Sequence, residues 1–311
     1  MLSYLRARLL RSLLTLFLVI SFTFIILRLT GDPAMMILSP DAPPEAIAAF
    51  RATWGLDTPL WQQFLGYLWN IAQGNFGVSM RNGNSAMGLV LEAVPATLAI
   101  TIPAFLLKIL LGIPAGVLAA LYRNSWIDRL LMSLAVAGHT LPSFVLGLLL
   151  VLMFAVRLGW LPSGGFNSPW HALLPIVTLT ISGAAVLARY TRSSMLEVLG
   201  QPYVRAAIAK GLTYRQVILR HALPNAGMPI VTIAGLMMGG LIAGAVVVEN
   251  VFSWPGVGRL MVSAVGNRDL AVVQAALLLI TVAMISANLL VDAAYGLIDP
   301  RVRSGSSGRK S

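Results

Sequence analysis

Cysteine is absent from this 311-residue chain, so disulfides, thiol nucleophiles and thiolate metal sites are excluded at once. Charge is almost as scarce: Asp, Glu, Lys and Arg make up 11% of residues, against about a quarter in ordinary soluble domains. With 58% of residues apolar and a mean hydropathy of +0.83, there are too few solvated side chains to cover a water-soluble domain. Most of the chain must therefore use the bilayer as its solvent.

Catalytic signatures are missing as well. No G-x-x-x-x-G-K-[ST] cradle for nucleotide phosphates and no H-E-x-x-H occurs, and His139, His171 and His221 fall on separate segments. The chain is not expected to be an enzyme, to hold a metal or to bind a cofactor directly. Its net charge of +11 would suit nucleic acid if the basic residues shared one solvated face, but they sit in short clusters between apolar runs. Lipid, not nucleic acid, is the expected surrounding.

What the sequence does have is long apolar runs. A helix needs about 20 largely apolar residues to cross the hydrocarbon. Six such runs are present, at 9–29, 97–121, 130–156, 173–188, 229–251 and 271–298. The first is preceded by Arg6, Arg8 and Arg11 and is longer than a signal-peptide core, so it reads as a retained anchor. The pattern predicts an all-α polytopic membrane protein. Its parts are an N-terminal spanning helix (1–30), an extracytoplasmic segment with short helices (31–94), a five-helix core (95–298) and a tail (299–311).

Sorting the basic residues by side sets the orientation. With the N-terminus inside, fifteen of the 22 lie on the cytoplasmic side and six on the other, while Lys108 falls within a span. Lys and Arg near span ends stay in the cytoplasm, so both termini are placed there. Six of the fifteen, Arg189, Arg192, Arg205, Lys210, Arg215 and Arg220, share the connection 189–224.

That connection is far longer than a helix–helix loop needs to be. Pro202 suits the first turn of a short helix that Gly211 ends, and Thr213-x-x-Gln216 is a capping box that opens a second helix ended by Pro224. The product is a basic two-helix knob. Its apolar residues Val204, Ala207, Ile208, Val217 and Ile218 could enter a partner's groove or lie on anionic lipid.

The spacing Arg205-Ala206-Ala207-x3-Gly211-x9-His221-x-Leu223-Pro224 resembles the EAA loop of ABC importer permeases, with Arg205 in place of the usual Glu. Within that family, Tyr203 to Leu212 is similar to the peptide and nickel branch. Thr30-Gly31-Asp32-Pro33 and Gly74-Asn75-Phe76-Gly77-Val78-Ser79 also resemble its segments, the latter with Asn75 where Asp is usual. Further likenesses are 191–198, the stretch from Glu249 through Trp254-Pro255-Gly256 to Arg259, and Asn288 to Asp292 with Asp299-Pro300-Arg301 beyond. The resemblance implies the ABC importer type I permease fold with six spanning helices. It also implies a second homologous permease, two ABC ATPases that use ATP and magnesium, and an extracytoplasmic solute-binding protein. The loop residues Arg205, Ala206, Ala207, Lys210, Gly211, Arg215, His221, Leu223 and Pro224 are then the ATPase-coupling site.

Inside the spans, Lys108, His139 and Glu249 are candidates for the translocation path, because ionisable groups at membrane depth are costly, and Asp292 lies near an inner end. Gly235, Gly239, Gly240 and Gly244 form overlapping small-x-x-x-small pairs, suited to packing within the chain or against a second permease. Peptides, including glutathione-like ones, are the expected substrates, with nickel or another small solute as the alternative. A stand-alone ion-coupled transporter is the reading of a different class, disfavoured by the few acidic residues deep in the spans.

Overall fold

The computed structural model describes residues 2–29, 34, 38 and 42–298, with side chains for all of these except 2–9, 27–29, 244 and 292–298. The Thr30–Pro33 segment, the Asp299–Arg301 motif, the tail and the Asp292 side chain lie outside the described residues. Among them no strand forms; one isolated bridge joins Val78 and Ser85.

The first helix, α1 (Leu2–Leu29), leads into an excursion of two short helices, α2 (Pro44–Thr53) and α3 (Leu60–Ala72). The two are separated by a turn where Gly55 takes φ +61°. The excursion folds back on the anchor: Phe64 and Tyr67 of α3 pack on Phe24 of α1, with ring centroids 5.3 and 5.7 Å apart.

A strap then leads into the core. Asn75 Oδ1 accepts the Gly77 N–H at 3.0 Å, so Asn in the place of Asp keeps the acceptor this turn needs. Ser79 donates to the buried Asp269 carboxylate, which also accepts the Met80 N–H at 3.3 Å. These bonds fasten the strap to the entrance of the last helix.

The core begins with α4 (Ala86–Leu121), which starts eleven residues earlier than hydropathy alone indicated because Ser85 caps it from outside the apolar run. Next come α5 (Trp126–Thr140) and α6 (Ser143–Leu150), the latter running on as a π-helix through Arg157. The single straight span expected at 130–156 is not there: the chain bends by 102° between α5 and α6. Pro142 is the cause, since it forces Leu141 into extended backbone at ψ 122° and ends α5.

The helix α7 (Leu173–Leu199) packs along α4 more extensively than any other pair. Small residues allow it. A Cβ on Gly112 would stand 2.9 Å from the Ala184 carbonyl, and one on Gly116 would collide with the Ala188 carbonyl. After α8 (Pro202–Ala209), the turn α9 (Tyr214–Val217) continues through a π turn into α10 (Leu223–Gly239).

The expected fifth span at 229–251 breaks after Gly239. A 3-10 turn (Ala243–Ala245) and α11 (Val246–Val251) follow, then α12 (Val257–Gly266) and the long α13 (Leu270–Ile298). Among the described residues, four helices are long and apolar enough to cross a membrane, or five if the bent α5–α6 pair counts as one span.

Buried side chains form successive clusters along α4. One joins Val90 to Val257 and Ala276, the next Ile100 to Leu174 and Phe252, and the third Ala120 to Leu187 and Ile230. The exterior is apolar, with Leu110, Leu134 and Val156 each more than 60% exposed, as suits a lipid-facing surface.

Candidate functional site

The knob between α7 and α10 is built as its sequence grammar requires. Pro202 occupies the first turn of α8, where its missing N–H costs no intrahelical bond. Lys210 caps the other end, and Gly211 turns the chain at φ +85°, a conformation that L side chains rarely adopt. Both halves of the capping box form: Thr213 Oγ1 accepts the Gln216 N–H at 3.4 Å and Gln216 Oε1 accepts the Thr213 N–H at 3.0 Å.

One expectation needs correction. The second helix does not stop at Pro224. The π turn at Ile218–Ala222 widens the coil just before that proline, so the helix passes through it and joins the knob to α10. The first part of the 189–224 connection is helical, because α7 continues to Leu199.

The apolar residues of the knob divide into an inner and an outer set. Val204, Ala207 and Val217 are buried against Val198, Leu199 and Leu212, and Ile218 joins the cluster around Leu187, so these four are the knob's own core and are unavailable to a partner. Ile208 alone of the expected set is exposed. Around it the outer surface carries Tyr203, Arg205, Ala206, Lys210, Tyr214 and Arg215, with Arg205 Nη2 donating to the Gly200 carbonyl at 3.1 Å. His221 and Leu223 are half-buried at the π turn, where the His221 carbonyl accepts from Asn225 at 2.6 Å, and Pro224 is exposed.

An ion pair that composition did not reveal braces the knob's base. Arg192, on the last turns of α7, pairs with Asp128 in the first turn of α5, and Asp128 also accepts the Asn124 N–H at 2.9 Å. The partners are 64 residues apart in sequence, so local pattern could only count Arg192 as one more basic residue.

The intramembrane candidates do not converge. Lys108 lies along Gly183 of α7, so closely that a Cβ there would stand 2.5 Å from its Cδ and Cε. His139 is exposed at the end of α5, beside the break at Pro142. Glu249 is fully buried: it accepts from Thr97 Oγ1 at 2.6 Å and from the Arg259 N–H at 3.0 Å, while Thr97 Oγ1 accepts the Val257 N–H at 2.9 Å. Its carboxylate thus sits at the N-terminus of α12, where backbone donors converge.

The stretch Glu249–Arg259 gains a physical explanation from this. Trp254 Nε1 donates to the Ala96 carbonyl at 2.7 Å, and neither Gly256 nor Gly258 has room for a Cβ beside the Glu249 carboxylate. Among the glycines, Gly235 packs on Val291 of α13 and Gly239 lies near Asn288, so this side of α10 faces the chain's own last helix. Gly240 caps α10 and Gly244 lies in the 3-10 turn, so the ridge does not continue along one helix.

The described core is helical and apolar on its exterior, and it carries an exposed knob between two long helices, the arrangement expected of the ABC importer permeases that the sequence resembles. The chain belongs to the family described as "Binding-protein-dependent transport system inner membrane component", which matches residues 112–304. Residues 1–101 match the corresponding N-terminal family, "Binding-prot-dependent transport system membrane comp, N-term". The chain is 44% identical over 304 residues to the "Glutathione transport system permease protein GsiC" of Escherichia coli K12, covering 97% of this chain and 99% of that protein. The protein of the same name from Shigella flexneri serotype 5b matches to the same extent.

Solved structures share the fold at lower identity. A chain of the inward-facing MetNI methionine ABC transporter superposes with a TM-score of 0.58 at 21% identity, covering 68% of this chain and 97% of that one. A chain from the crystal structure of an amino acid ABC transporter with histidines gives 0.52 at 20%, covering 66% and 92%.

Proposed function

We propose that this chain is a translocation subunit that carries peptides, glutathione-like ones among them, across a bacterial inner membrane. It works beside a second homologous permease, two ABC ATPases and an extracytoplasmic solute-binding protein. The chain crosses the membrane six times with both termini in the cytoplasm, and 31–94 lies on the side that meets the binding protein. The near full-length identity to a glutathione permease supports the substrate class. Nickel is disfavoured, because among the described residues no group of three or more His, Asp or Glu side chains could hold a metal ion.

The observation that carries the coupling role is the knob's geometry: an exposed basic and aromatic surface on α8, turned at Gly211 and continued as helix into α10. In this reading α8 seats in the ATPase, and closure of the nucleotide-loaded ATPases moves it as a lever. Motion passes through α9 and the π turn to α10, and through the Arg192–Asp128 pair to α5, biasing the cavity between outward- and inward-facing states.

The test is retention of the ATPases during purification of the full complex. Gly211→Val, or deletion of 206–210, abolishes it while the chain remains inserted. Undiminished retention contradicts the coupling role.

A further inference from the structure

An open cleft of about 430 Å³ lies between the first turns of α4 and the start of α12, within the size range of small-ligand sites, roughly 300–1,000 Å³. Its walls include the apolar Leu89 and Leu260, the Ser263 hydroxyl, and two opposite charges, Glu92 from α4 and Arg259 from α12. Those charges do not pair with each other. The Glu92 carboxylate has no hydrogen-bonding or ionic partner among the described residues, and the Arg259 guanidinium forms no ion pair there.

Arg259 is nonetheless held in place from two directions. Its Nη1 donates to the Ser253 carbonyl, and its backbone N–H donates to the buried Glu249. The same Glu249 grips Thr97, five residues along α4 from Glu92. One buried carboxylate therefore ties the backbone of α4 to that of α12 beside the cleft.

We infer that this cleft is an outer-side subsite for a small zwitterionic peptide, the ammonium end at Glu92 and the carboxylate end at Arg259. The inference rests on the peptide reading above. Two exposed charges of opposite sign that line one cleft without neutralising each other are complementary to a ligand carrying both signs at its ends. The intervening apolar walls, Leu89 and Leu260, accept side chains of varied shape because they impose no directional bonds.

Because the chain has no cysteine, Ser263→Cys gives it a single labelling site on the cleft wall. In the complete importer, a bimane on that cysteine is titrated with Ala-Ala, N-acetyl-Ala-Ala and Ala-Ala-amide. ATP-driven uptake of labelled Ala-Ala, with the binding protein present, is measured in parallel on the unlabelled wild type. The expected result is a saturable fluorescence change with Ala-Ala, its midpoint raised about tenfold or more by blocking either end, the size of losing one charge-assisted contact.

Glu92→Gln should raise the Ala-Ala midpoint similarly while leaving that of N-acetyl-Ala-Ala unmoved, and Glu92→Asp should restore part of the loss. Uptake with no fluorescence response, or with equal responses to all three compounds, overturns the subsite and leaves the peptide reading standing. Absence of uptake by the wild-type importer overturns the peptide reading itself.

Discussion

Arg192 clasps Asp128 through two parallel bonds, Nε to Oδ1 at 2.6 Å and Nη2 to Oδ2 at 2.7 Å, and so joins the helix that carries the knob to the start of its neighbour. The Asp128 side chain is 5% exposed and that of Arg192 26%, which places the pair between a surface contact and a buried one. Asp128→Ala should cost about 1–3 kcal/mol, read as a lower melting temperature of the purified chain. Arg192→Lys, which keeps the charge but loses the fork, should cost less. Equal melting of Asp128→Ala and the parent would show that the pair is idle.

Glu249 makes a sharper demand, because it is fully buried and its oxygens serve as acceptors for a hydroxyl and for backbone N–H. In Glu249→Gln one of those acceptors becomes a donor, so either the Thr97 hydroxyl or the Arg259 N–H loses its acceptor. The loss should be on the order of 3 kcal/mol and should appear as reduced yield of monodisperse protein in detergent. Thr97→Val removes one donor to the carboxylate and one acceptor for Val257 and should fall between Glu249→Gln and the parent. A normal yield for Glu249→Gln would contradict the staple.

Glycine substitutions separate close packing from open surface. Gly116→Ala drives a methyl into the Ala188 carbonyl and the Thr191 side chain, so α4 and α7 must part, and the folded yield should fall steeply. Gly66→Ala on α3 meets nothing within 4 Å and should be neutral or stabilising by roughly 0.5–1 kcal/mol. Thermal unfolding of the two variants side by side checks the contrast.

Gly211 tests the knob by itself. A Cβ there meets nothing, yet its φ of +85° remains strained for any L side chain. Gly211→Val should therefore spare insertion and the core while cutting ATPase stimulation by substrate at least tenfold, whereas Gly211→Asn, which tolerates left-handed backbone better, should keep more of it. Equal activity of the two variants would mean that the turn geometry is irrelevant to coupling.

The parts of this structure legible in the sequence are those fixed by neighbours in the chain. Pro202, Gly211, Thr213 and Gln216 act within a few residues, and the structure has their caps and turn where their spacing puts them. Hydropathy located the long helices for the same reason, but it averages over breaks: Pro142 inside an apolar run reads as span interior, and so do Gly239 and Gly240.

Long-range partners left no local trace. Thr97 and Glu249 are 152 residues apart, and Ser79 and Asp269 are 190 apart. The knob's inner face misled for a related reason. An apolar stripe at helical spacing fits a partner's groove or the chain's own helix equally well, and only the fold shows that Val204 and Ala207 turn toward Val198 and Leu199.

The central claim is that this chain moves its substrate only when separate ATPases act on the α8 knob. Uptake of a labelled dipeptide into vesicles containing this chain, its partner permease, the ATPases and the solute-binding protein tests it most directly. Uptake should require ATP and the binding protein, persist when ion gradients are collapsed, and be lost in Gly211→Val. Uptake driven by an ion gradient without ATP or the ATPases would contradict it.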